Sequence, residues 1–180
     1  MPGTESHALI QTDRLQLIAF TPELVLAMMA NDRAAAEGSQ DVRFPDPFEL
    51  PPETGDVLDF FLAMIRADES RGLFLPRLIV RNEDRMVVGS IGVNPPDESG
   101  RAMLGYSIYP QFEGNGYASE AARALVDYVL VEGSISRVIA TIPVGHTASE
   151  RVSERAGLAR SGDQIEDEGM TLNVWQRLAD

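Results

Sequence analysis

The 180-residue chain contains no cysteine and only two histidines. The first absence excludes a disulfide framework, a thiolate nucleophile and cysteine-ligated zinc. The second leaves no HxH or HxxxH pair, since His7 and His146 lie far apart, so a metal site would need carboxylates alone and none is assigned. Positive charge is scarce as well: 15 Lys and Arg against 28 Asp and Glu give a net charge of −13. A surface of that sign repels phosphate backbones and anionic membranes, so neither nucleic acid nor membrane is an expected partner. The same field attracts a cationic amine, although acidity also serves solubility alone. No run approaches the ~20 uncharged apolar residues that span a bilayer. The opening MPGTESHALI lacks a basic segment followed by an apolar one, and a cytoplasmic location is expected.

What is present is a 44% hydrophobic chain, enough for one domain over residues 1–180 with a sizeable core. Residues 9–20 alternate apolar and polar at Leu15, Leu17 and Ala19 and read as one strand. Thr21-Pro22 then supplies an N-cap and a first-turn proline for a helix over residues 22–31. Residues 34–56, with Pro45, Pro47, Pro51 and Pro52, read as a long irregular connection. Leu58, Phe61, Leu62 and Ile65 recur at helical spacing within residues 57–68. A hairpin follows, strands 73–81 and 86–94 about the polar turn 82–85, and a third strand over 102–109 stops at Pro110. A helix opening within 114–118 carries Ala118, Ala121, Ala122, Leu125 and Val129 and runs to Glu132, with Gly133 as its stop. Residues 136–142 form a strand and 144–156 a helix ending at Gly157. Two further strands fill 158–178 around an acidic turn at 163–169.

The segment that carries chemistry is Gln111-Phe112-Glu113-Gly114-Asn115-Gly116-Tyr117-Ala118, between a strand and the start of a helix. The first N–H groups of a helix have no partner within it, and the macrodipole makes that end positive, so a pyrophosphate can be held by backbone alone. Glycines let the chain turn tightly and approach a ligand closely. Read on its own, a GxG before a helix is equally a plain tight turn.

The flanks add to it. The order of segments, the strand ending in Tyr109-Pro110, the loop Gln111-x-x-Gly114-x-Gly116 and the unit 146–158 resemble the GNAT superfamily of N-acetyltransferases. Thr12-Asp13-Arg14-Leu15-Gln16-Leu17, Gly105-Tyr106 and Tyr117-Ala118-Ser119-Glu120-Ala121 look like its Rim-type branch, similar to the ribosomal-protein-alanine acetyltransferases. The resemblance covers residues 10–178 and is most specific over 100–160. It implies an α/β (α+β) fold: a mixed, mostly antiparallel sheet of six to seven strands flanked by about four helices, whose central strands splay to admit acyl-CoA. It also implies acetyl-CoA as acyl donor, a primary amine (a protein N-terminus or a small molecule) as acceptor, direct attack in a ternary complex, and a homodimer as one expected assembly. Carried onto this chain, backbone at Ile108 and Tyr109 pairs with the pantetheine arm and polarises the thioester. Gln111, Glu113, Gly114, Asn115, Gly116, Tyr117 and Ala118 hold the pyrophosphate.

Three positions depart from the family pattern. The asparagine that opens the later helix and contacts the cofactor arm is His146 here, which keeps one hydrogen bond and adds a proton-transfer role; an exposed residue starting a helix is the plainer reading. The tyrosine that protonates the leaving thiolate is Ser153, and the Rim-type assignment of that task to the serine three after the asparagine points to Ser149. A carboxylate that serves as base is Met103. Glu120 follows the family's Ser/Thr-Glu-Ala pattern and reads as structural. Met103 and Ser153 motivate one alternative, a GNAT-fold module that binds acyl-CoA without turnover. A Rossmann reading of Gly114-Asn115-Gly116 lacks both the third glycine and a parallel βαβ setting.

Overall fold

A computed structural model describes residues 9–67, 69–131 and 135–179, with backbone alone for 69–71. Eight strands form one sheet in the order β1-β2-β3-β4-β5-β6-β8-β7, joined by five α-helices among the described residues. The strands are β1 (Ile10–Gln11), β2 (Leu15–Ala19), β3 (Arg77–Arg81), β4 (Val87–Val93), β5 (Arg101–Ile108), β6 (Arg137–Pro143), β7 (Ala159–Asp167) and β8 (Met170–Leu178). The helices are α1 (Pro22–Met29), α2 (Arg33–Gln40), α3 (Leu58–Ala67), α4 (Tyr117–Val131) and α5 (Thr147–Arg155). All neighbouring strands are antiparallel except β5 and β6. No described helix is long and apolar enough to cross a membrane.

The sheet is larger than the six to seven strands expected, and the reason is local. The single strand read over residues 9–20 is broken at Thr12, whose N–H donates to the Leu15 carbonyl at 2.9 Å while its hydroxyl accepts the Leu15 N–H, also at 2.9 Å. That turn sets β1 antiparallel to β2. The acidic turn read over 163–169 is mostly strand: β7 runs to Asp167 with an irregularity between Arg160 and Gln164, and the reversal is confined to Glu168 and Gly169. Both have positive φ, the conformation of the tight hairpin turn that matches strand twist.

The fifth helix lies where an irregular connection was expected. Asp32 caps α2 by accepting the Ala35 N–H at 3.0 Å, and Arg33 pairs with Glu37 one turn on. Only Ala36 of α2 is buried, so there is no apolar stripe to betray it. Elsewhere the boundaries shift inward. The strand read from residue 73 starts at Arg77 after a 3-10 turn (Glu69–Phe74), and α5 starts at Thr147. Asp68, Glu132, Gly133 and His7 lie outside the described residues.

Two apolar cores lie on the sheet. One gathers Phe20, Leu24, Met28, Phe44, Leu62 and Tyr109 with α1–α3, and the other packs α4 and α5, through Ala121, Leu125, Val129 and Ala156, on Leu17, Ala102, Val138 and Trp175. Helices therefore lie on both sides of the sheet, but the cover is incomplete: Met103 and Gly105 of β5 remain exposed.

Candidate active site

The one parallel pair in the sheet is also the one that stops short. β5 and β6 pair at Arg101 with Arg137, Ala102 with Val138 and Met103 with Ile139, and no further. β5 continues beside β4 to Ile108, and β6 continues beside β8 to Pro143. Residues 104–108 and 140–143 therefore diverge and leave a gap, as expected of splayed central strands.

Hydrogen-bond alternation decides which backbone groups face that gap. Tyr109 N–H donates to the Val88 carbonyl at 3.0 Å, and the Met103 carbonyl accepts the Asn94 N–H at 3.1 Å, so odd-numbered residues of this strand face β4. In an antiparallel ladder the intervening residues point the other way, which assigns the N–H and C=O of Leu104, Tyr106 and Ile108 to the gap. Of the two residues named from the sequence, Ile108 offers its backbone and Tyr109 does not. The Tyr109 side chain is equally committed: it is buried, its hydroxyl donates to the Glu49 carbonyl at 2.6 Å, and burial pushes the phenol well above its ordinary pKa.

The 111–118 loop closes the end of the gap. Pro110–Phe112 form a 3-10 turn with Gln111 exposed. Gly114 and Gly116 have φ of 77° and 79°, a region that costs an L-residue roughly 1–2 kcal/mol. Asn115 folds its side-chain amide back onto the carbonyls of Phe112 and Glu113 at 3.0 and 3.1 Å. Among the described residues, no N–H of residues 114–119 makes a hydrogen bond of good geometry to a protein acceptor; Glu120 N–H is the first to close a helical bond, onto the Gly116 carbonyl. Six successive amides are thus free at the positive end of the 15-residue α4. Tyr117 contributes only its backbone, because its ring is buried in the core.

Composition gave no sign that a cation stands beside these amides. Arg14, from the turn between β1 and β2, donates to the Asn115 carbonyl at 3.0 Å and stacks over the Tyr117 ring at 5.1 Å. Glu120 holds it there: its carboxylate accepts Arg14 Nε at 2.7 Å, Arg14 N–H at 3.0 Å and the Thr12 hydroxyl at 2.5 Å, and pairs with Arg14 Nη2 at 2.6 Å. Burial alone would raise the Glu120 pKa, but these bonds outweigh it and hold the carboxyl below its ordinary value. Glu120 is therefore structural, as read from the sequence. The clamp takes up the loop's carbonyl side and leaves the amide side clear.

Across the gap stands α5. His146 is its N-cap, with Nδ1 accepting the Ser149 N–H at 3.3 Å, so the exposed imidazole replaces an asparagine in the capping role. Ser149 stands beside the phenol of Tyr106 from β5, but no hydrogen bond joins them, and the Tyr106 hydroxyl is buried without a partner among the described residues. Burial raises the Tyr106 pKa and Ser149 opposes that, leaving a phenol that stays protonated at neutral pH. Ser153, at the position of the family's tyrosine, is buried with its hydroxyl unpartnered. The structure thus sets Arg14 against the 114–119 loop and gives Tyr106 and Ile108 one edge of β5, with Ser149 beside Tyr106. It leaves the Tyr109 side chain and the Tyr117 ring outside the site.

Comparison with known proteins agrees with this geometry. Residues 14–159 match the family described as Acetyltransferase (GNAT) domain. The uncharacterized N-acetyltransferase YjdG of Bacillus subtilis is 26% identical over 83% of this chain and 88% of its own length. Among solved structures, RimL, a ribosomal L7/L12 alpha-N-protein acetyltransferase in complex with coenzyme A, superposes with a TM-score of 0.67 at 22% identity, over 96% of this chain and 99% of that one. An acetyltransferase from Agrobacterium tumefaciens gives 0.62 at 25% identity, covering 94% of each chain. The RimL likeness, at that identity, is one of fold.

Proposed function

The chain belongs to the GNAT acetyltransferase family, and from that premise we propose that it transfers an acetyl group from acetyl-CoA to a primary amine by direct attack within a ternary complex. The observation that carries the reading is the β5–β6 gap, which ends against six unpartnered amides at the start of α4. A pyrophosphate accepts from such amides, and Arg14 adds a cation held against the loop by the Asn115 carbonyl. The gap-facing edge of β5 at Tyr106 and Ile108 presents the strand pattern that the amides of a pantetheine arm would match. An N–H on that edge would also polarise the thioester carbonyl.

The thioester supplies an activated acyl group. The chain's residues supply position and protons. The neutral amine forms the new C–N bond as the C–S bond breaks; its surplus N–H proton passes to water, which also restores the proton that the donor gives to sulfur, and proximity within one complex lowers the barrier most. A proton donor is then needed for the departing sulfur. The Ser149 hydroxyl fills that place, with Tyr106 behind it as a phenol that burial keeps protonated. His146 positions Ser149 by capping its turn. The acceptor is a protein N-terminus, the kind of group on which RimL acts by its name, or a small-molecule amine.

Met103, apolar where the family has a carboxylate, favours a second reading: a module that binds acyl-CoA without turnover. The experiment follows CoA release from acetyl-CoA against a panel of primary amines with a thiol reagent, to which a chain without cysteine adds no background. Amine-dependent release supports transfer. Saturable CoA binding with no release from any amine supports the module.

A further inference from the structure

On the opposite side of β5 from the α4–α5 face lies a cleft of about 330 Å³, between α3 with its leading 3-10 turn (Gly55–Val57) and strands β4 and β5. We propose, building on the acetyl-transfer reading, that this cleft takes the acceptor and that the acceptor is a primary amine borne one or two carbons from a compact apolar body, aromatic or branched aliphatic. Its walls are Val57, Phe60, Phe61, Met64 and Phe74, and its floor is β5 over residues 103–107. Three large apolar side chains that are otherwise costly to expose gather here: Phe60 at 61%, Met103 at 41% and Val57 at 37%. The volume sits at the low end of the ~300–1,000 Å³ range of small-molecule sites. At Gly105 the floor is bare, since a Cβ built there meets nothing within 4 Å.

One row of polar groups in the cleft, Thr54, Ser90 and Ser107, suits an ammonium. Ser107 donates its hydroxyl to the Pro52 carbonyl at 2.8 Å. Its oxygen then accepts from Ser90 at 3.2 Å, and Ser90 in turn accepts from Thr54 at 3.2 Å. With every proton in that row committed, the buried Thr54 oxygen retains only acceptor capacity. Glu53 is the single charged side chain among the described lining residues, and it is an anion. A polyamine would bring a second cation against phenylalanine and methionine with no counter-charge, an arrangement that burial penalises heavily.

The chain has no lysine, so its own side chains offer no competing amine in an acetylation assay. The test compares phenethylamine, a phenylalanine-first tetrapeptide, ethanolamine and spermidine as acceptors. In parallel, calorimetry measures phenethylamine and ethanolamine binding to the CoA-loaded protein. Fully burying an aromatic side chain is worth about one to two powers of ten in kcat/KM. The expected result is at least a 10-fold preference for phenethylamine over ethanolamine and spermidine. That preference should fall at least 10-fold in Gly105→Leu, whose Cβ meets no neighbour within 4 Å and whose side chain takes up floor space, while CoA affinity stays within twofold of wild type. The tetrapeptide separates the sources: turnover matching phenethylamine assigns the apolar amine to a peptide terminus, and its rejection to a free small molecule. Equal use of ethanolamine and phenethylamine, or a Gly105→Leu preference unchanged from wild type, overturns the inference and leaves acetyl transfer standing. Selective phenethylamine binding without turnover sustains the cleft's specificity and overturns the transferase reading instead; binding no tighter than that of ethanolamine overturns the cleft's specificity.

Discussion

Replacing Glu120 with glutamine isolates the clamp that ties the pyrophosphate loop to the β1–β2 turn. The carboxylate collects three hydrogen bonds from Arg14 and Thr12 together with a 2.6 Å ion pair to Arg14. Glutamine keeps one acceptor oxygen for Thr12 and the Arg14 N–H but turns an NH2 toward the guanidinium, setting donor against donor. Charged hydrogen bonds contribute ~1.5–3 kcal/mol each when shielded, whereas exposed pairs contribute ~0.2–1. With the Arg14 side chain 49% exposed and that of Glu120 19% exposed, the substitution should cost about 1–2 kcal/mol. For a chain of this length that lowers Tm by roughly 2–8 °C. The pH dependence has a fixed sign. The folded Glu120 pKa lies below its unfolded value near 4.5, so the stabilisation is complete above that pH and is lost as pH falls through the folded value. Thermal unfolding followed by circular dichroism at pH 7 and again below pH 4 reads both effects. Acetyl-CoA affinity should also fall several-fold, because Arg14 no longer holds the Asn115 carbonyl. An unchanged Tm at pH 7, or a wild-type-to-variant gap that does not shrink in acid, would refute the clamp.

Other positions carry equally direct expectations. Tyr106→Phe removes a buried, unpartnered hydroxyl, so Tm should rise, by the equivalent of ~1–3 kcal/mol, while kcat drops about 10-fold and KM for the amine holds; steady-state kinetics beside a melting curve shows whether the two move in opposite directions. Ser149→Ala should lower kcat by about 10- to 100-fold with CoA affinity intact, measured by CoA release and calorimetry. Gly89→Ala would drive a Cβ to 2.1 Å from the Ser107 carbonyl, so β4 and β5 must part; loss of soluble, cooperatively melting protein is expected, and a wild-type melting curve would contradict that packing.

The features legible in the sequence are those with a local cause. Thr21 accepts the Leu24 N–H as a cap, Gly114 and Gly116 adopt positive φ, and the Asn82-to-Arg85 turn joins antiparallel strands. The parallel, early-ending pairing of β5 with β6 came with the GNAT resemblance rather than from residue patterns. What escaped depends on partners distant in the chain. Arg14 is one arginine among 15 until folding places it 101 residues away against Asn115. Helix α2 has no apolar stripe and is held by Asp32, Glu37 and Arg33 instead. Tyr109 was named for its backbone, but strand alternation, invisible without the register, turns that backbone toward Val88 and exposes Ile108. The helix-start role of His146 is legible in the sequence, and its Nδ1 accepts the Ser149 N–H as the cap of α5.

Calorimetric titration with acetyl-CoA, with NADH as control ligand, on wild-type protein and on Gly114→Trp tests the central claim most directly. A Cβ at Gly114 meets nothing within 4 Å, so the variant adds backbone strain of ~1–2 kcal/mol, tolerable within the ~5–15 kcal/mol of a folded domain, and fills the space before the amides. Saturable acetyl-CoA binding by the wild type, no NADH binding, and loss of acetyl-CoA binding in a variant that still melts cooperatively are the predicted results. Wild-type affinity in the folded variant would remove the pyrophosphate from this loop, and an absence of acetyl-CoA binding by the wild type would contradict the account at its root.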